Sequence, residues 1–219
     1  ALATGHYARI RTTCSGERAL MMARCLQKDQ SYVLFMLQGE RLGRLLFPLG
    51  HVRDKDETRR LAAEWGLPVA HKPDSQEICF VSEAGGYREF LRRMRPDALR
   101  EGELVTRDGR PLGRHQGVVG FTIGQRRGLG VSSRDGRPLY VVGIEPRDGR
   151  VVVGSESDLL RRTAVLADVV WGPVPAEGGP LSVCAKIRSN MQPMPAVLHR
   201  EHPARIVFDQ PVKAITPGQ

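Results

Sequence analysis

The sequence has no apolar run approaching the ~18 residues that a membrane-spanning helix requires, so a transmembrane helix is excluded. Its four cysteines, Cys14, Cys25, Cys79 and Cys184, form no CxxC pair. That spacing matches neither a disulfide framework nor a zinc site and implies a reducing cytoplasm. Six histidines, at positions 6, 51, 71, 115, 199 and 202, form no HxxxH cluster, so metal binding finds no support. There is no P-loop, no GxSxG elbow and no complete GxGxxG fingerprint. The first residues, Ala1-Leu2-Ala3-Thr4-Gly5-His6, lack the charged and apolar regions of a secretory signal.

Lysine is scarce as well. Of 33 basic residues 28 are arginine, against 24 acids, which leaves a net charge of +9. Arginine grips phosphate bidentately, so the excess points to nucleic acid, while a GC-rich genome that encodes arginine for lysine explains the same count. The charge is uneven. Residues 86–127 hold ten arginines (88, 92, 93, 95, 100, 107, 110, 114, 126 and 127) against five acids. A helix bearing Arg88, Arg92, Arg93 and Arg95, followed by the glycine-broken loop Gly124-Gln125-Arg126-Arg127-Gly128-Leu129-Gly130, offers a phosphate backbone both side-chain and main-chain donors. A solvated basic face is the plainer alternative.

The first third reads as α/β. A short apolar start carrying Gly5 suggests a buried strand running into a loop, and 20–26 a second strand. The apolar residues of 29–37 fit a mostly buried helix, with Asp29 or Ser31 as its cap. Residues 54–65 form a helix, with acids in the first turn and Gly66 as a stop. Residues 87–94 read as one further short helix. Beyond them the pattern is β: Asp108-Gly109, Asp135-Gly136 and Asp148-Gly149 are hairpin signals, and β-prone runs fall at 139–144, 151–153, 165–171, 181–187, 196–199 and 205–208. A small barrel or sandwich closes such a pattern.

Three features could carry chemistry. Thr4-Gly5-His6, directly after a strand, sits where an open α/β sheet presents its carboxyl-end crevice, although glycine also serves plain turns. Lys28-Asp29-Gln30 sets a cation, an acceptor and an amide at a helix mouth, where Asp29 could equally be an ordinary cap. Cys79 lies just past the Asp74-Ser75-Gln76-Glu77 turn, at the edge of an apolar patch. A thiol on such an interdomain loop is a nucleophile or sulfur carrier when a positive neighbour lowers its pKa, and an inert core residue otherwise.

Taken together, Ala3-Thr4-Gly5-His6-Tyr7, Lys28-Asp29-Gln30-Ser31-Tyr32, Leu46-Phe47-Pro48-Leu49-Gly50, Asp74-Ser75-Gln76-Glu77-Ile78-Cys79-Phe80, Gly113-Arg114-His115-Gln116-Gly117, residues 122–130 and Thr216-Pro217-Gly218-Gln219 resemble, in order and spacing, the tRNA-specific 2-thiouridylases. The resemblance implies an α/β plus β fold. A remnant of a Rossmann-like adenine-nucleotide-binding domain would cover 1–82, a small basic tRNA-binding domain 83–138, and a C-terminal β-barrel, clipped at its end, 139–219. It implies ATP-dependent 2-thiolation of the wobble uridine: ATP, with Mg2+, adenylates the C2 oxygen, and a cysteine persulfide fed by a sulfur-donor protein supplies sulfur. It assigns the persulfide to Cys79 and an ATP contact to Gly5. It assigns tRNA contacts to His6, Lys28, Asp29, Gln30, Gln219, and to Arg188 and Ser189 on a barrel strand.

The family's SGGxDS pyrophosphate loop and upstream catalytic cysteine do not occur in the sequence. The expectation is therefore a C-terminal part of such an enzyme, inactive alone. A non-catalytic basic RNA-binding module with a structural Cys79 is the main alternative, and a free-standing redox protein is disfavoured by the absence of a close cysteine pair.

Overall fold

The computed structural model describes residues 1–72, 79–133 and 135–218; the side chains of Cys79, Asp97 and Ala98 are outside the description. The chain divides into two compact units, one of residues 1–74 with 165–207 and one of residues 75–164 with 208–219.

The first unit begins with a parallel pair. β1 (Leu2–Ala3) lies beside β4 (Leu45–Leu46), with Thr4 N–H donating to the Leu46 carbonyl at 3.0 Å. The crossover between them holds an antiparallel hairpin, β2 (Ala8–Thr12) with β3 (Arg18–Met22), and the single turn α1 (Glu40–Gly43). The second expected strand thus starts earlier and ends earlier than 20–26. β1 is exposed, not buried, with Leu2 62% accessible. After β4 a turn at Pro48–His51 leads to α2 (Lys55–Glu64). Its start follows the sequence: Asp54 Oδ1 accepts from the Glu57 N–H at 2.7 Å and satisfies an orphan donor of the first turn.

The helix expected over 29–37 does not form. Two 3-10 turns, Leu26–Lys28 and Ser31–Leu34, stand in its place, and Val33, Phe35 and Met36 are exposed. Local side chains outcompete the helical ladder. Asp29 takes the N–H groups of Ala23 (2.8 Å) and Ser31 (3.4 Å) and the Ser31 hydroxyl (2.8 Å), so it joins the start of the Ser31 turn to the residue that follows β3.

Gly50 shows why this unit needs a glycine at one particular place. A Cβ there would lie 1.8 Å from the Ala8 carbonyl oxygen, and Arg24 N–H donates to the Gly50 carbonyl at 2.9 Å. The approach ties the segment after β4 to the hairpin, over a small core of Tyr7, Ala23 and Val52.

The second unit opens with α3 (Cys79–Glu83) and α4 (Tyr87–Met94), held together by Phe80 and Phe90 with ring centroids 5.1 Å apart. Its sheet contains β5 (Gly102–Thr106), β6 (Pro111–His115), β7 (Tyr140–Glu145) and β8 (Arg150–Gly154) in the order β6-β5-β8-β7. β5 and β8 are parallel and the outer pairs antiparallel. Leu104, Val141, Val151 and Val153 fill the core from alternating strand positions, with Leu129 inserted from the preceding loop. The hairpins at Asp108-Gly109 and Asp148-Gly149 form as expected, with only the glycines in the left-handed region. Asp135-Gly136 joins no strand pair: Asp135 Oδ1 accepts from the Arg137 N–H within the loop before β7. β8 pairs with β5 and β7 with β8, so strands from both sides of 138/139 share this sheet.

The last four strands, β9 (Leu160–Val165), β10 (Leu181–Ala185), β11 (Met194–His199) and β12 (Arg205–Lys213), form a sheet in the order β10-β11-β12-β9. Of the strand expected over 165–171 only Val165 is in a strand, as the last residue of β9; residues 166–171 form none, and Asp168 takes a φ of 51°. Among the described residues no helix is long and apolar enough to cross a membrane.

Candidate functional site

In the first unit the two sequence motifs after the parallel strands meet. Thr4-Gly5-His6 follows β1 and Phe47-Pro48-Leu49-Gly50 follows β4, both at the carboxyl ends where α/β sheets place ligands. The rings of His6 and Phe47 contact edge to face at 6.3 Å, and His6 Nδ1 is 2.9 Å from the Thr4 hydroxyl. Gly5 does not have positive φ, and a Cβ there would meet only Leu49 Cδ1, at 3.8 Å. The fold itself therefore does not require glycine at position 5, in contrast to position 50.

The Lys28-Asp29-Gln30 segment joins the same cluster through Tyr7. Gln30 Oε1 accepts from the Tyr7 N–H at 3.0 Å, and the Tyr7 carbonyl accepts from the Gln30 N–H at 2.8 Å. Asp29 makes the contacts with Ala23 and Ser31 described above. Gln30 is exposed and its NH2 has no partner among the described residues, while Lys28 is exposed on the preceding turn. Lys55, at the start of α2, has its pKa lowered by partial burial and then by the neighbouring charges of Lys28 and Arg59. Positive charge gathers beside this turn.

Arg188 and Ser189 lie in the turn after β10, not on a strand as expected from the resemblance; that turn closes with Met191 N–H on the Arg188 carbonyl at 3.2 Å. The turn reaches the Lys28–Tyr32 segment. Lys186 Nζ stands 5.9 Å from the centre of the Tyr32 ring, and the Tyr32 phenol is raised in pKa by burial, an effect opposed by the charge of Arg188. Tyr32 and Lys186 were not singled out by the sequence; the only signal was that Tyr32 closes the Lys28–Tyr32 motif. An open cleft of about 520 Å³ lined by Glu17, Arg18, Gln38 and Gly172 contains none of the expected residues.

In the second unit Cys79 is the first residue of α3, at the start of a short helix and not in a loop. Residues 73–78 and Gln219, both part of the quoted motifs, lie outside the described residues. The arginine-rich loop is built rather than slack. Gly124 N–H donates to the Val141 carbonyl at 2.8 Å and Val141 N–H to the Gln125 carbonyl at 2.9 Å, so the loop pairs with β7. The Gln125 amide bridges Thr122 N–H and the Arg127 carbonyl, Leu129 plugs the core, and glycines at 124, 128 and 130 take positive φ. Arg126 and Arg127 are thereby displayed to solvent with no ion pair among the described residues. Arg92 and Arg93 share Glu89, and Arg88 donates to Gln116 at 3.2 Å.

His115, in the Gly113–Gly117 motif, is buried and structural. Its Nδ1 accepts from the Gly117 N–H, so Nε2 carries the proton donated to the Gly149 carbonyl, both at 3.1 Å. Burial pushes its pKa down, an effect partly offset by the Gly149 acceptor. No group of three or more side chains suited to hold a metal ion occurs among the described residues.

Comparison with known proteins accounts for this arrangement along nearly the whole chain. Residues 1–83 match the tRNA methyl transferase HUP domain, residues 88–155 the tRNA methyl transferase PRC-barrel domain, and residues 161–219 the aminomethyltransferase β-barrel domain. The tRNA-specific 2-thiouridylase MnmA of Methylobacterium sp. (strain 4-46) is 48% identical over 224 residues, that of Methylobacterium nodulans 47% over 224, and that of Paramagnetospirillum magneticum 46% over 221. The chain belongs to the tRNA-specific 2-thiouridylase family. All of the chain is covered in each comparison, and it spans 58% of the length of each of these three relatives. A Rossmann-like HUP domain followed by two barrel-type domains is the α/β plus β architecture expected from the sequence. The matched segment 88–155 contains the whole β5–β8 sheet, in keeping with the pairing of β8 with β5 and of β7 with β8.

Proposed function

We propose that the chain carries the RNA-gripping and sulfur-carrying parts of an ATP-dependent tRNA-uridine 2-sulfurtransferase working in the cytoplasm. The observation that carries this reading is the convergence of three separate motifs on one site: Gly5 and His6 after β1, Phe47 after β4, and Gln30 bonded in both directions to Tyr7. In this reading Gly5 lets backbone approach ATP, which binds with Mg2+. His6, Lys28, Asp29 and Gln30 contact tRNA, Asp29 also holding their turn in place, and Arg188, Ser189 and Gln219 add further tRNA contacts. The exposed Arg126 and Arg127 contribute phosphate contacts, since such contacts supply most of the affinity for a nucleic acid.

The chemistry needs two activated partners. Attack of the uridine C2 oxygen on the α-phosphate of ATP releases pyrophosphate and converts that oxygen into part of an AMP leaving group. The terminal sulfur of a persulfide on Cys79, loaded by a sulfur-donor protein, then bonds to C2 as AMP departs. A second thiol breaks the remaining S–S bond, leaving sulfur on the base and Cys79 in a disulfide. An anticodon uridine is a suitable substrate because an unstacked base can enter a pocket.

Loading tests the role of Cys79. Incubation with a persulfide donor, followed by mass spectrometry under non-reducing conditions, is expected to place an additional sulfur atom on the Cys79 peptide. Loading of Cys14 or Cys184 with none on Cys79 would favour the non-catalytic RNA-binding module.

A further inference from the structure

The segment after β10 and the Lys28–Tyr32 segment are far apart in sequence, yet Lys186 and Arg188 of the first act on the Tyr32 ring of the second. Lys186 Nζ is 5.9 Å from the Tyr32 ring centre, Arg188 acts on the same phenol, and Lys28 lies four residues before Tyr32 on the adjoining turn. Tyr32 is half-buried, which holds its ring in place under the Lys186 ammonium, and its hydroxyl belongs to a protonated phenol. Lys186 and Arg188 bring positive charge to one part-exposed ring, and a polyanion laid across it is attracted to both.

We infer that Tyr32, Lys186 and Arg188 form a clamp for the tRNA backbone, with Lys186 steadied by the Tyr32 ring and presenting its charge to a phosphate. The clamp rests on the reading of the chain as tRNA-binding and extends it to two residues, Tyr32 and Lys186, that the motifs did not assign. Arginine also packs over an aromatic face and retains charge, so it can replace lysine at this position.

The test measures binding of an unmodified transcribed tRNA with a wobble uridine by the full chain, across a range of salt concentrations. Lys186→Ala is expected to weaken binding about fivefold and to reduce the slope of log affinity against log salt by about one, the signature of one phosphate left without its cation. Lys186→Arg is expected to restore both. Tyr32→Phe should keep the wild-type slope, because the ring survives, while Tyr32→Leu should behave like Lys186→Ala. If Lys186→Ala melts early, Lys186→Gln, which keeps most of the aliphatic stem, gives the same readout. Wild-type affinity and slope in a folded Lys186→Ala or Lys186→Gln protein would overturn the clamp alone. A wild-type chain that does not bind the tRNA would overturn both the clamp and the function on which it rests.

Discussion

Gln30 and Tyr7 are locked by two hydrogen bonds, side-chain carbonyl to Tyr7 N–H at 3.0 Å and Gln30 N–H to Tyr7 carbonyl at 2.8 Å. The pair couples the strand-end motif to the basic turn, so a contact made by His6 and one made by Lys28 share one rigid base. It also separates two functions of the Gln30 amide. Gln30→Ala is expected to cost roughly 1–3 kcal/mol, because the buried Tyr7 N–H loses its acceptor. Gln30→Glu keeps an acceptor and so should melt close to wild type, yet it loses the outward NH2 and adds negative charge. Its tRNA affinity should fall; denaturant midpoints and binding curves on both variants check this, and equal binding by Gln30→Glu would remove Gln30 from the interface.

Two glycines should respond in opposite ways. Gly50→Ala forces a Cβ to within 1.8 Å of the Ala8 carbonyl and is expected to cost about 1–3 kcal/mol or prevent folding. Gly5→Ala meets only Leu49 at 3.8 Å and should leave the fold intact, or stabilise it by about 0.4–1 kcal/mol through the unfolded state. If Gly5 admits ATP, the same substitution weakens nucleotide binding. Thermal melts and a fluorescent ATP-analogue titration would check this pair, and unchanged nucleotide binding in Gly5→Ala would contradict the ATP contact.

The buried imidazole of His115 gives stability a pH dependence. Its folded pKa lies below the ordinary value, so between the two the unfolded chain binds more protons than the folded one. The His115 contribution is therefore complete above the ordinary histidine value of about 6.5 and is lost as pH falls toward and through the lowered folded value. Protonation also places a hydrogen on Nδ1, where the Gly117 N–H now donates. Urea midpoints through this range should fall more steeply for wild type than for His115→Gln. Parallel curves would contradict a buried neutral His115.

Helix α2 was legible because its signals are local: the Asp54 cap, acids in the first turn, and Gly66 at its end. The segment 29–37 misled because its apolar spacing suits a helix, whereas Asp29 and Gln30 spend their side chains on Ala23, Ser31 and Tyr7 and draw the chain off that path. Sheet membership misled in a different way. The hairpins were visible in their Asp-Gly turns, but the parallel pairing of β5 with β8 joins strands on either side of a long loop, and no local residue announces it. The motif residues of the site were legible one by one. Lys186, and the contacts that Phe47 and Tyr32 make within the site, emerged only on folding.

The loop of Arg126 and Arg127 should act as a preformed phosphate grip. Arg126→Ala and Arg127→Ala are each expected to lower tRNA affinity and to reduce the salt slope by about one, since each arginine neutralises one phosphate. Gln125→Ala, which removes the brace between Thr122 and Arg127, should weaken binding while leaving total charge unchanged. Salt titrations of tRNA binding distinguish these effects, and wild-type slopes for both arginine variants would assign the loop to a solvated face.

The central claim is that Cys79 carries the sulfur while other residues hold the RNA. The most direct test is to measure 2-thiouridine formation and tRNA affinity side by side for Cys79→Ser in the complete gene product. Sulfur transfer through Cys79 requires that 2-thiouridine disappear while the tRNA dissociation constant stays within about twofold, a change worth under ~0.5 kcal/mol. Thiolation at the wild-type rate in Cys79→Ser would contradict it.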